Sequence, residues 1–181
     1  MNGLKAAYLG TVVDCNLSAL RRIIFLAAFT ALAIALPYVC HQFGIAGMVF
    51  LPMHFAVMIA AIVMGFRGGL AVALVSPVLS YALSAMPPLQ SLLPITVELC
   101  AYAAAINISL RKIKLPLVVS LIVAMIFGRL VSLSFVGLIL NSVSGSVQIK
   151  NLFLVGLPGI IIQLALVPPL ASKITTYLGR K

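Results

Sequence analysis

The stretch LPMHFAVMIAAIVMGFRGGLAVALVSPVLSYALSAMPPL, residues 51–89, decides the fold. It reads as two apolar helices joined by a tight turn, Gly65-Phe66-Arg67-Gly68-Gly69. Leu51-Pro52-Met53-His54 opens it and Met86-Pro87-Pro88-Leu89 closes it. A helical hairpin in a membrane has both ends on one side and its turn on the other. Arg67 in the turn assigns that side to the cytoplasm, because basic residues are retained there. Both ends of the hairpin are then expected to face outward, where they can form part of a small-molecule site.

The composition of the whole chain agrees with a membrane reading. Its 181 residues are 64% hydrophobic and 8% charged. A soluble domain of this length has too little interior to hide so much apolar surface. A membrane span takes about 20 apolar residues, so the chain after residue 20 has room for five or six. The apolar runs are continuous rather than alternating, which excludes a barrel reading. The expected class is an all-α integral membrane protein, a six-helix bundle.

The formal charge of +10 is not a nucleic-acid signature. The basic residues sit at the ends of apolar runs, and no basic stripe carries interleaved aromatics. Cys15, Cys40 and Cys100 are widely spaced and read as small apolar fillers. No cofactor or metal is implied.

Working outward from the hairpin, residues 1–20 read as a cytoplasmic or interfacial segment, and 21–175 as the membrane domain. Residues 176–181 read as a basic cytoplasmic tail. The first span runs from about Arg21 to Tyr38 and is expected to be an uncleaved helix, since further spans follow it. Ala27, Ala31 and Ala35 lie four apart on one of its faces, a flat strip where another helix can approach closely. That strip serves either packing within the chain or docking of a partner. His41 and Gln42 fall in the loop that follows. The hairpin supplies spans at about 50–66 and 70–85. The second carries Pro77 and the serines Ser76, Ser80 and Ser84 at helical spacing. A fourth span covers about 92–110, a fifth about 116–140, and a sixth about 152–171, where Pro168 and Pro169 interrupt the end.

Charge tests this arrangement. Ten of the twelve Lys and Arg side chains fall on one side of six spans. Lys150 alone falls on the other, and Arg129 lies within the membrane. Both termini are therefore expected in the cytoplasm.

Two charges fall inside spans, Glu98 and Arg129. At ~1.5 Å rise per residue, Glu98 lies roughly 9 Å and Arg129 roughly 16 Å from the outer ends of their helices. Such groups face protein or a wet cavity. One reading is a structural ion pair between neighbouring helices. The other is that Arg129 takes the anionic group of a substrate and Glu98 its hydroxyl or amide groups. His54, Tyr102 and Gln163 lie at similar depth, and Met86 and Gln90 belong to the outer loop. Together they make a candidate substrate-binding set: His54, Met86, Gln90, Glu98, Tyr102, Arg129 and Gln163. An apolar cavity with a few placed polar groups is what a small-molecule site needs. Asn107 lies apart, toward the cytoplasmic end.

The chain has no His-Glu-x-x-His, Gly-x-Ser-x-Gly or Walker motif, so no enzyme is expected. A stand-alone transporter or channel and a ligand-free scaffold are the alternatives to a binding subunit. No inverted three-plus-three repeat is evident, which weighs against the stand-alone transporter.

These segments, in order, resemble the substrate-binding S component of an energy-coupling factor (ECF) vitamin transporter. The likeness runs from Arg21 onward. It rests on the six-helix size, the Ala27, Ala31 and Ala35 strip, Leu51–His54, and Gly65–Gly69. Ser76-Pro77, Met86–Leu89, Glu98, Gly128-Arg129 and Gly156–Gly159 complete it. The resemblance implies capture of a vitamin or related nutrient from outside, at a bacterial cell membrane. It implies that the alanine strip docks on a transmembrane coupling subunit driven by two ATPase subunits. Arg129 favours an acidic substrate, and among the vitamins pantothenate is the lead, with nicotinate and biotin behind it. The absence of tryptophan disfavours a large flat ring.

Overall fold

The computed structural model describes residues 18–42, 52–139 and 156–179. The expected interfacial segment up to residue 17, residues 43–51, residues 140–155 with the expected polar loop around Lys150, and residues 180–181 lie outside the described residues. Within them the chain is all-helical apart from short links, with no strand. The helices are α1 (Ala19–Gln42), α2 (Pro52–Ser84), α3 (Leu89–Asn107), α4 (Leu117–Ile139) and α5 (Leu157–Gly179). A π-helical turn, Ile108–Lys112, extends α3. All five helices are long and apolar enough to cross a membrane. This is the pattern of a multi-pass membrane protein.

The second of the five is not one rod. Gly65 has φ 75° and ψ −169°, far from helical values. A Cβ built on Gly69 would lie 2.6 Å from the Cβ of Ala61. In a continuous helix residues eight apart are separated by about 12 Å, so the chain doubles back at Gly65. The turn expected over five residues is made by one, and helical structure resumes at Phe66. Only glycine occupies that backbone region readily. Gly69 removes the remaining obstacle: its bare backbone lets the two arms touch, with the Ala103 Cβ of α3 3.2 Å from the same point.

The first arm, residues 52–64, is the centre of the bundle. Every residue from Ala56 to Val63 is buried, on all sides of the helix. A helix apolar all round belongs in an interior. The second arm, 66–84, buries only one face, which includes Val72, Ala73, Ser76 and Ser80. Neighbours along the chain pack on each other: α1 on α2, α2 on α3, and α3 on α4, while α5 reaches both α2 and α4. On α4 the buried residues recur as Leu117, Ser120, Leu121, Ala124, Met125, Gly128, Arg129 and Ser132, an i, i+3, i+4 stripe. Its other face exposes Val119, Ile122, Val123, Ile126, Phe127 and Leu130. So large an apolar surface suits lipid and not water.

The prolines expected to interrupt the last span do not end it. Pro168 and Pro169 lie inside α5, which continues to Gly179. In a membrane helix, neighbouring groups can take up the carbonyls a proline frees. Thr175 donates back to the carbonyls of Ala171 and Ser172, at 2.9 and 3.0 Å. Ser84 does the same to Ser80, at 2.8 Å, the outcome commonest for a helical serine.

Two substitutions test the hairpin. Gly65→Ala should cost about 1–3 kcal/mol through a strained backbone. Gly69→Val should cost about 1–3 kcal/mol by wedging the arms apart. Each is read as a lower thermal unfolding midpoint of the purified protein in detergent. Unchanged midpoints in both would remove the glycine hairpin as a determinant of the fold.

Candidate ligand-binding site

Four polar side chains meet where the first arm of α2, α3 and α4 come together. Each comes from an otherwise apolar run, and the helices set their positions. His54 lies on the first turn of α2. Glu98 and Tyr102 lie one turn apart on one face of α3, and Arg129 is on the inner stripe of α4. All four are at most 3% exposed.

The contacts converge on one atom. Glu98 Oε1 accepts a hydrogen bond from the Tyr102 hydroxyl at 3.1 Å. Arg129 Nε lies 3.2 Å from the same oxygen and His54 Nε2 lies 3.4 Å from it. The His54 ring also meets the Tyr102 ring edge-on, with centroids 5.2 Å apart. Glu98 and Arg129 thus form the interhelical ion pair that one sequence reading expects. The helical rise left Arg129 the deeper of the two, and the length of its side chain closes the gap.

The arrangement needs Gly128. A Cβ there would lie 2.0 Å from two ring carbons of Tyr102 and 3.3 Å from the Glu98 carbonyl oxygen. The bare backbone of α4 is what the Tyr102 ring lies against. Small residues at membrane-helix interfaces serve this kind of close approach. Ser132, one turn beyond Arg129, reaches across to the Pro94 carbonyl at 3.4 Å. Gly128 and Ser132 were absent from the expected binding set. Their signal was spacing: small and polar residues on the same face as an intramembrane arginine.

The pair leaves hydrogen-bonding capacity over. Among the described residues, Arg129 Nη2 and His54 Nδ1 are buried with no hydrogen-bond partner. Burying a guanidinium nitrogen without an acceptor is costly, more so for a charged group than a neutral one. These atoms lie on two of the three residues that contact Glu98. A ligand bearing an anionic or carbonyl oxygen would satisfy them.

The other expected site residues are placed as follows. Gln163 is buried on α5. Met86 and Gln90 are exposed, on the link between α2 and α3 and on the first turn of α3, and neither joins the buried cluster. Gln90 is eight residues from Glu98, about 12 Å along the helix. Ala27, Ala31 and Ala35 are all exposed, while Phe29 and Ala33 form the buried side of α1. Among the described residues, the alanine strip therefore lies on the exposed side of α1. Ala27 and Ala31 line a groove of about 460 Å3 with Ile34, and Ala71, Val75 and Leu79 of the second arm form its other wall.

The chain matches no family model. It matches no curated protein. It matches no solved structure.

The ion pair makes a direct prediction. Glu98→Gln leaves Arg129 buried and uncompensated, which should destabilise the protein by about 3–5 kcal/mol. Glu98→Gln combined with Arg129→Met removes both charges and should recover most of that loss. Equal thermal midpoints for wild type and Glu98→Gln would show that the pair carries no such coupling. Gly128→Ala should destabilise the protein by about 1–3 kcal/mol, read as a lower thermal midpoint, because the Tyr102 ring must move.

Proposed function

We propose that this chain is the substrate-capture subunit of an ATP-driven importer of the ECF type. It takes an acidic nutrient from the outside of a bacterial cell membrane and hands it to a separate coupling and ATPase module. The observation that carries the reading is the buried cluster with donors to spare: Arg129 Nη2 and His54 Nδ1, beside the Glu98 carboxylate. A charge buried within the spans of a membrane protein is by default a candidate functional group. Its ligand would present a carboxylate to Arg129 and hydroxyl or amide groups to Glu98 and His54. Pantothenate, a small carboxylate with hydroxyl and amide groups, has that chemistry.

In this reading the two arms of α2 are separate spans, which makes six, with both termini in the cytoplasm. His54 and the 85–88 link then lie toward the outside, with Arg67 toward the inside. The charge asymmetry of the sequence supports this orientation. The exposed alanine strip supports a division of labour between the two faces of the bundle. The cluster between α2, α3 and α4 holds the ligand, and the groove of α1 and the second arm receives a helix of the coupling subunit. Small side chains allow such a helix a close approach.

Mass spectrometry of small molecules retained by the purified protein tests the capture role, and an acidic metabolite is the expected result. Arg129→Ala should weaken its binding by about 2–5 kcal/mol, as expected when one side of a desolvated charge contact is truncated. Normal binding by a folded Arg129→Ala protein would make the arginine purely structural. Replacing Ala27, Ala31 and Ala35 with Leu should abolish assembly with a coupling module and leave ligand retention intact. Unchanged assembly would refute the docking role.

A further inference from the structure

At the opposite end of the hairpin from His54, a second polar site is built around arginines. A recess of about 350 Å3 is lined by Arg22 of α1, Arg67 beside the α2 turn, and Asn107 and Arg111 at the end of α3. Its floor is the backbone at Gly65, where the missing side chain leaves room. The nearest Arg111 guanidinium atom lies 3.4 Å from where a Cβ on Gly65 would be. The volume is at the small end of ligand sites, which run from about 300 to 1,000 Å3.

The three arginines differ in role. Arg111 Nη2 reaches the Ile62 carbonyl at 3.5 Å. That carbonyl is in the last turn of the first arm, where helix carbonyls lack intrahelical partners and the helix dipole is negative. Arg111 thus fastens the end of α3 to the end of the first arm. Arg22 and Arg67 are exposed and have no partner among the described residues. Nor can the described part of the chain supply a carboxylate. Its sequence holds two acidic residues, Asp14 and Glu98. Glu98 is committed to Arg129 and His54, and Asp14 lies outside the described residues. Arg22 and Arg67, two guanidinium groups without a partner among the described residues at one recess, call for an anion from elsewhere.

The surroundings say which anion. Next to the lining residues, Ile23 is 63% and Ile108 45% exposed, and Phe66 in the lining itself is 40% exposed. Apolar side chains continue along α1 away from the arginines. A guanidinium recess bordered by lipid-facing apolar residues matches a molecule with an anionic head and hydrocarbon tails. Guanidinium groups bind phosphate through parallel hydrogen bonds. Basic pockets between helices at the cytoplasmic membrane surface have this chemistry.

We propose that the recess between α1, the Gly65 turn and the end of α3 binds the phosphate headgroup of an anionic phospholipid. Arg22 and Arg67 clamp the phosphate, Asn107 adds an amide donor, and the acyl chains run along Ile23, Phe66 and Ile108. The bound lipid then ties α1 to the hairpin turn. This does not depend on the capture reading, since it uses neither Glu98 nor Arg129.

The test uses the full chain, purified in detergent and studied by native mass spectrometry with added phosphatidylglycerol, phosphatidylcholine or inorganic phosphate. Phosphatidylglycerol should be retained in preference to phosphatidylcholine. Arg22→Gln and Arg67→Gln should each lower that preference about fivefold, and the double variant should abolish it. Both side chains are exposed, so the double variant is expected to keep the wild-type thermal midpoint. If its midpoint falls, the Arg22→Lys/Arg67→Lys pair serves instead, and it should keep most of the preference because it keeps the charge. An equal response to both lipids, or a preference untouched in the double glutamine variant, overturns the proposal. Arginine-dependent binding of inorganic phosphate without lipid discrimination would also overturn it, and would make the recess a free-anion site.

Discussion

The contact between Glu98 and Arg129 constrains the rest of the bundle. An isolated charge among apolar helices is too costly to keep, so each group requires the other. Glu98 is on α3 and Arg129 on α4, and their 3.2 Å separation fixes the rotation of both helices. His54 adds the first arm of α2 to the same oxygen. Tyr102, one turn below Glu98, fills the space between, and it fits only because residue 128 is glycine. One carboxylate oxygen therefore organises three helices. The cost of making that site in hydrocarbon is also the reason to read it functionally. A purely packing role would be met more cheaply by apolar residues of similar volume.

The hairpin obeys a different constraint. Lipid tails are as apolar as leucine, so helices in a membrane gain little from hydrophobic burial against one another. Association relies on close packing, which small residues permit. Gly65 allows the turn, Gly69 allows the contact between arms, and the alanines at 61 and 103 sit where the backbones approach. Arg111 then meets the carbonyl end of the first arm, where a positive charge is favoured.

These two constraints leave the bundle with contrasting surfaces. The first arm of α2 is enclosed on all sides, while α1 is largely exposed and shows an alanine strip beside the second arm. The polar cluster and the arginine recess lie at opposite ends of the first arm, with His54 on its first turn and Ile62 on its last. The polar cluster, the arginine recess and the alanine groove thereby occupy separate parts of the molecule. Substitutions at one should be separable from effects at the others.

Much of this was legible in the residues themselves. Continuous apolar runs gave the helices, because about 20 residues must cross hydrocarbon whatever the fold. Glu98 and Arg129 stood out because charge within a span is expensive, and the glycines at 65–69 marked the turn. Which faces meet was not legible. In a soluble helix the buried face is the apolar one, but α4 is apolar on both faces, and hydrophobicity cannot rank lipid against protein. Only Ser120, Gly128, Arg129 and Ser132 hint at the inner stripe. The helix that continues through Pro168 and Pro169 was also hidden, because proline's effect depends on which neighbours take up the carbonyls it frees. The sequence by itself determined that helices cross a membrane and which of them carry charge. Tertiary structure alone decided that Tyr102, Arg129 and His54 share one oxygen of Glu98, that Met86 and Gln90 stand apart, and that the alanine strip faces outward. Those outcomes depend on helix rotation, which close contacts between side chains set and composition does not encode.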